Sequence, residues 1–228
     1  MSFISYNGVA SASIARYEQT GNIFELEAHM AVVGELLFFR RNGVDLDAVL
    51  RHQGDAGVSQ VVEGLSEREI RETADDVLVQ AVVVKTQIAP LVVNWEEGKA
   101  GVTEIMLDTV NMFQERIRVK GLRATKTFSF SGDPDLWYLR TNPYDMNPPR
   151  GEIGGRRLTV GMEVRDHEGD QAAAHIESSV RVIKEWLQRQ EAQIATYNAT
   201  VPARALSLIV QRRTRLGNAS DLLKKLQG

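Results

Sequence analysis

Residues Arg116-Ile-Arg-Val-Lys-Gly-Leu-Arg-Ala-Thr-Lys-Thr-Phe-Ser-Phe130 decide how this chain is read. Strand side chains alternate between two faces, so apolar residues at every second position predict a half-buried strand. Before Gly121 the apolar positions are odd, Ile117 and Val119; after it they are even, Leu122, Ala124, Phe128 and Phe130. A strand that changes its apolar face predicts a bulge or turn at Gly121. Further on, Leu158, Val160, Met162 and Val164 alternate with Arg157, Thr159 and Glu163. These two strands predict an antiparallel hairpin.

The chain from 128 to 151 joins them and holds four of the six prolines, two tyrosines and one of the three tryptophans. A loop of roughly 25 residues is uncommon in a compact domain and is usually functional or disordered. Large aromatics argue against disorder. Trp137, Tyr138 and Tyr144 with Arg140 and Arg150 have the composition of an interaction hot spot, which makes the 131–151 loop the expected partner-binding surface. At the tip of a hairpin it would project away from the sheet. The competing structural reading folds the aromatics back as an anchor on the sheet.

Working toward the N-terminus, Val102 to Phe113 reads as a short helix over 103–113, preceded by a strand over 90–95. Ser66, with Glu67, Glu69 and Glu72 behind it, supplies a cap and an acidic first turn for a helix over 66–84. Leu26, Met30, Val33 and Leu37 with Phe38 fall at helical spacing and predict a helix over 23–41, stopped by Asn42-Gly43. A short helix over 45–50 and a loop over 53–57 lie between. Residues 1–20 read as a loose lead-in or edge element.

Working toward the C-terminus, Ile176, Val180, Ile183, Leu187, Ile194 and Tyr197 recur at helical spacing behind Asp170. Pro202 either opens a second helix or kinks a single long one. Leu206, Ile209, Val210 and Leu216 continue the stripe, and 220–226 reads as a last short helix. The expected fold is α+β, with N-terminal helices, a small antiparallel sheet bearing the long loop, and a C-terminal helical hairpin. We read residues 1–228 as one domain with parts 1–87, 88–165 and 170–228, and as a portion of a longer protein.

Composition narrows function only a little. Hydrophobic and charged fractions of 43% and 25% are ordinary for globular proteins. A net charge of −3 gives no global attraction to nucleic acid or anionic membrane, so such binding would need local patches. Cysteine is absent, which removes disulfides, thiolate nucleophiles and thiolate-bound metals. No apolar run spans a bilayer and the N-terminus lacks a signal peptide's regions, so the expected location is the cytoplasm, with no membrane partner.

No nucleophile elbow, phosphate loop or dinucleotide fingerprint occurs. His167 among Asp166, Glu168 and Asp170 reads as a polar turn ending in a helix cap, because its spacing fits no metal motif. No cofactor or metal is expected. Two basic segments remain, 116–126 with Arg116, Arg118 and Lys120, and 204–225 with Arg212, Arg213 and Arg215. Either would suit phosphates or anions.

The leading expectation is a non-enzymatic protein-binding and assembly module, a sensor, scaffold or adaptor. It would self-associate through the C-terminal helices and meet a protein partner through the 131–151 loop. A nucleic-acid-binding protein using the two basic segments is the alternative, and an enzyme whose site leaves no local motif is the third reading.

Overall fold

The structure is a computed structural model, described over residues 31–39, 45–141 and 147–227. Its class is α+β: N-terminal helices, a seven-stranded antiparallel sheet and a long C-terminal helix. The order is β1 (Ala31–Val32), β2 (Glu35–Leu36), α1 (Leu46–His52), α2 (Val58–Glu63), α3 (Glu67–Glu72), α4 (Asp75–Thr86), β3 (Val92–Val93), β4 (Lys99–Val110), β5 (Arg116–Ser131), β6 (Arg150–Gly154), β7 (Arg157–Arg165) and α5 (Gly169–Gln227). The sheet runs β2-β6-β7-β5-β3, with β1 on β7 and β4 on β5.

Several expectations are corrected. Residues 31–36 are strand where a helix over 23–41 was expected, because Gly34, at φ 89°, turns the chain so that β1 and β2 each fill an open edge. A side chain at Gly34 would collide with the Gly151 backbone of the neighbouring strand. The lead-in over 1–20 and the start of that helix lie outside the described residues. Residues 53–57 are a π-helical turn joining α1 to α2 rather than a loop, and Gly54 there is buried beside Tyr197. The helix expected over 66–84 is two helices, broken where Thr73 and Ala74 are extended.

The short helix expected over 103–113 is the strand β4. Its β-branched residues Val102, Thr103, Ile105, Thr109 and Val110 suit a pleated strand, and all twelve residues pair with β5.

Nor is there a bulge at Gly121. The register of β4 with β5 runs uninterrupted from Lys99↔Thr127 to Val110↔Arg116. The apolar residues change face because the covering element changes. From Gly121 to Ser129, β5 is flanked by β7; on this stretch Leu122 and Ala124 pack with Met162, Val164 and Ala172 of α5. Beyond Gly121 neither β7 nor a helix flanks β5 among the described residues, and the buried side chains are Leu107 and Thr109 on the opposite face. Leu107 lies over Gly121, where a Cβ would come within 2.4 Å of its Cδ1. The outer halves of β4 and β5 therefore form a two-stranded arm that extends past the sheet.

The C-terminal hairpin is a single helix. α5 holds 59 residues, about 88 Å at 1.5 Å per residue, and takes Pro202 in its interior on the exposed side. Ala172 and Ile176 cover the sheet, and Ile183 and Trp186 meet the aromatic core. From Ile194 to Ile209, α5 packs against the N-terminal helices. Asn198 fastens the α4–β3 connection, accepting from the Ile88 N–H at 3.0 Å and donating to its carbonyl at 2.9 Å.

Candidate functional site

The first part of the loop after β5, through Thr141, folds back on the core. Asp133 caps a 3₁₀ turn over Pro134–Tyr138, its carboxylate accepting from the Asp135 N–H at 3.0 Å, and this turn drives Leu136 and Trp137 inward. Trp137 is 0% exposed, with Phe38 and Phe130 each 5.4 Å away, and Phe38 stacks in turn on Trp186. From α5, Gln190 donates to the Leu136 carbonyl and Gln193 to the Thr141 carbonyl, both at 2.8 Å. Tyr138 is half-buried; Arg140 lies over the Phe39 ring and 3.8 Å from Asp45. Arg150 is exposed on β6. Tyr144 lies outside the described residues. Trp137, the largest aromatic of the expected surface, is thus a core residue.

Part of the basic tail, Arg212 and Arg213, is spent on backbone carbonyls. Arg212 donates to the carbonyls of Val62 and Leu65, at the end of α2, the latter at 2.6 Å. Arg213 donates to the carbonyls of Ile70 at 2.8 Å and Thr73 at 3.0 Å, and pairs with Asp75. Arg215 pairs with Glu63. In return Arg71 reaches the Leu216 carbonyl and the Ser220 hydroxyl. Helix C-termini leave carbonyls without intrahelical donors, and a guanidinium's fork of donors serves several at once. These arginines lock α2, α3 and α4 to α5.

Arg116, Arg118 and Lys120 share one face of the arm and are exposed. Arg118 is paired across the strands with Asp108 at 2.8 Å. On the arm beyond Gly121, Arg116, Arg118 and Lys120 stand against Asp108 and Glu115, a net charge of +1. The structure thus separates the two basic segments, one in a helical clamp and one on the arm.

Sequence reasoning missed the arm tip. The turn from 111 to 115 is built by Asn111, whose side-chain oxygen accepts from the N–H groups of Phe113 at 2.9 Å and Glu115 at 3.0 Å. Its amide donates to the Glu115 carboxylate at 2.9 Å, and Gln114 takes the left-handed conformation at φ 62°. Asparagine side chains that mimic a backbone turn are a known way to fix such a tip. The result holds Met112 83% exposed and Phe113 74% exposed. Along β4, Val102, Met106 and Val110 are exposed on the face that carries Arg116, Arg118 and Lys120. The signal was in the sequence: Met112-Phe113 beside Asn111 is an apolar pair next to a turn former.

Smaller apolar strips are exposed elsewhere among the described residues: Val77 and Val84 on α4, Leu206 and Val210 on α5, and Leu222, Leu223 and Leu226 on the last turns of α5. Among the described residues no three His, Asp or Glu side chains converge as a metal site, and no helix is long and apolar enough to cross a membrane. His175, whose ring nitrogen is 3.3 Å from the Ser179 hydroxyl, has its pKa lowered by burial. No protein-family model, curated protein or solved structure matches the chain.

Proposed function

We propose that this protein is a non-enzymatic binding and assembly module whose contact element is the β4–β5 arm. The observation that carries this reading is the arm tip, where Asn111 holds Met112 and Phe113 in solvent. Exposed apolar groups on an ordered, protruding element are a feature of interaction sites rather than of inert surface. Aromatics, methionine and arginine are enriched at protein interfaces, and the arm supplies Phe113, Met106, Met112, Arg116 and Arg118. With a net charge of only +1, the arm favours a protein partner over nucleic acid, whose affinity rests on net phosphate neutralisation.

In this reading the 131–151 loop serves the core through Trp137, and the buried apolar residues of α5, from Ala172 to Ile209, are used inside the molecule. The test is a photo-crosslinking benzoyl-phenylalanine placed at Phe113 in the producing cell, with Glu72, also exposed, as the control position. Irradiation is expected to give protein adducts from 113 and not from 72. Adducts with nucleic acid alone, or none, would overturn the reading.

A further inference from the structure

The outer edge of β4 has no strand beside it among the described residues, although its inner edge is fully paired over Lys99–Val110. Such an edge is a template for a further strand, and folded proteins usually blunt it with proline, a bulge, short length or charged side chains. Of these β4 has only charges, Lys99, Glu104 and Asp108. It contains no proline, runs in unbroken register for twelve residues, and its exposed face carries Val102, Met106 and Val110.

We propose that the partner at this edge is a second copy of the chain, with the two β4 strands pairing antiparallel about Ile105. This rests on the reading of the arm as the contact element, and it names the occupant. Two identical strands joined antiparallel are related by a two-fold axis perpendicular to the sheet. That axis keeps each side chain on its own face, so residue i meets residue j only when both are odd or both are even. Charge then selects among the registers. Centring on Glu104 opposes Glu104 to itself, and centring on Met106 opposes Glu104 to Asp108 twice; like charges directly opposite are destabilising.

Centring on Ile105 opposes Glu104 to Met106 and Val102 to Asp108, with no like pair. It also pairs residues 100 to 110 of each copy. The other registers free of like-charge opposition are shorter; the longest, centred on 103, pairs only 99 to 107.

The same register, which sets Val110 opposite Ala100, directs the tip of each copy toward the β3–β4 end of the other. Trp95 lies in that connection, half-buried and edge-on to Phe128 at 4.9 Å. On the shared face, Val102, Met106 and Val110 of the two copies become diagonal neighbours, within reach of one another across the strands. The assembly closes as a dimer because the contact is isologous.

The chain has no cysteine, so single substitutions report register without background. At a directly opposed antiparallel position the Cα atoms lie about 4.5 to 5.5 Å apart, inside the disulfide range of about 4.4 to 6.8 Å. Moving the cysteine one residue either way displaces the pair by two residues, about 6.8 Å along the strands, and takes it out of range.

Full-length Ile105→Cys is expected to oxidise to a covalent dimer, with Glu104→Cys and Met106→Cys remaining monomeric on a non-reducing gel. As a check that does not touch Ile105, a mixture of Ala100→Cys and Val110→Cys chains should cross-link while neither does so alone. The wild type is expected to double in mass by light scattering as its concentration rises. Dominant cross-linking at 104 or 106, or a concentration-independent monomer with no cross-link in either series, overturns the proposal. If Phe113 then still yields adducts with a different protein, the arm reading survives the loss of the self-partner; if it yields none, both fall.

Discussion

Arg213 near the end of α5 and Asp75 at the start of α4 are joined across 138 residues of chain. The guanidinium also collects the carbonyls of Ile70 and Thr73, which the break between α3 and α4 leaves without helical donors. Lysine keeps the charge and loses the fork. Arg213→Lys is expected to lower stability by roughly 2 kcal/mol, from lost hydrogen bonds to a charged group. Denaturant unfolding of this variant checks it, and an unchanged midpoint would remove the clamp from the account.

Trp137 gives the sharpest contrast of size against chemistry. Its indole nitrogen is buried with no hydrogen-bond partner among the described residues, so the ring serves by volume. Trp137→Phe should cost less than Trp137→Ala, for which about 3 to 5 kcal/mol is expected. Calorimetric melting of both variants tests the order; equal losses would show that the indole N–H matters after all.

Gly121 is the root of the arm. Gly121→Ala places a methyl 2.4 Å from Leu107 Cδ1 and 2.7 Å from the Val164 carbonyl oxygen. Overpacking of this kind costs about 1 to 3 kcal/mol. Adding Leu107→Ala should recover only part of the loss, since the carbonyl contact remains. Full recovery in urea titrations would place the whole strain on the leucine.

His175 sets an acid-side dependence. Burial lowers its folded pKa below the ordinary 6.5. The unfolded chain then binds the proton more readily, so stability is greatest above about pH 6.5 and declines as pH falls toward the lowered value. His175→Gln is expected to flatten that part of the stability profile, measured by unfolding at successive pH values. A profile of the same slope in the variant would assign the dependence to another group.

The strands at 116–130 and 157–164 were legible because period two is unambiguous when one face is buried. β4 was not, for a specific reason: its exposed Val102, Met106 and Val110 recur every four residues, a spacing that a helix face and a strand face both satisfy. The break between α3 and α4 was hidden because its carbonyls are satisfied by Arg213, far off in sequence. Trp137 was legible as important but not in direction, since composition marks a large aromatic and only the capped turn at Pro134 decides that it points inward. The arm tip went unread because the absence of a third strand beyond Gly121 is a property of topology.

α5 touches the sheet, the aromatic core and the helical clamp in turn, yet it follows all of them in the chain. During synthesis, α1 to α4 leave the ribosome with their apolar faces uncovered, and they wait for more than eighty residues of strand and loop before their scaffold begins to emerge. Arg212, Arg213 and Arg215 emerge more than 120 residues after α4. The nascent chain therefore carries the apolar faces of α1 to α4 uncovered until α5 emerges, and that interval is where a chaperone would have most to hold.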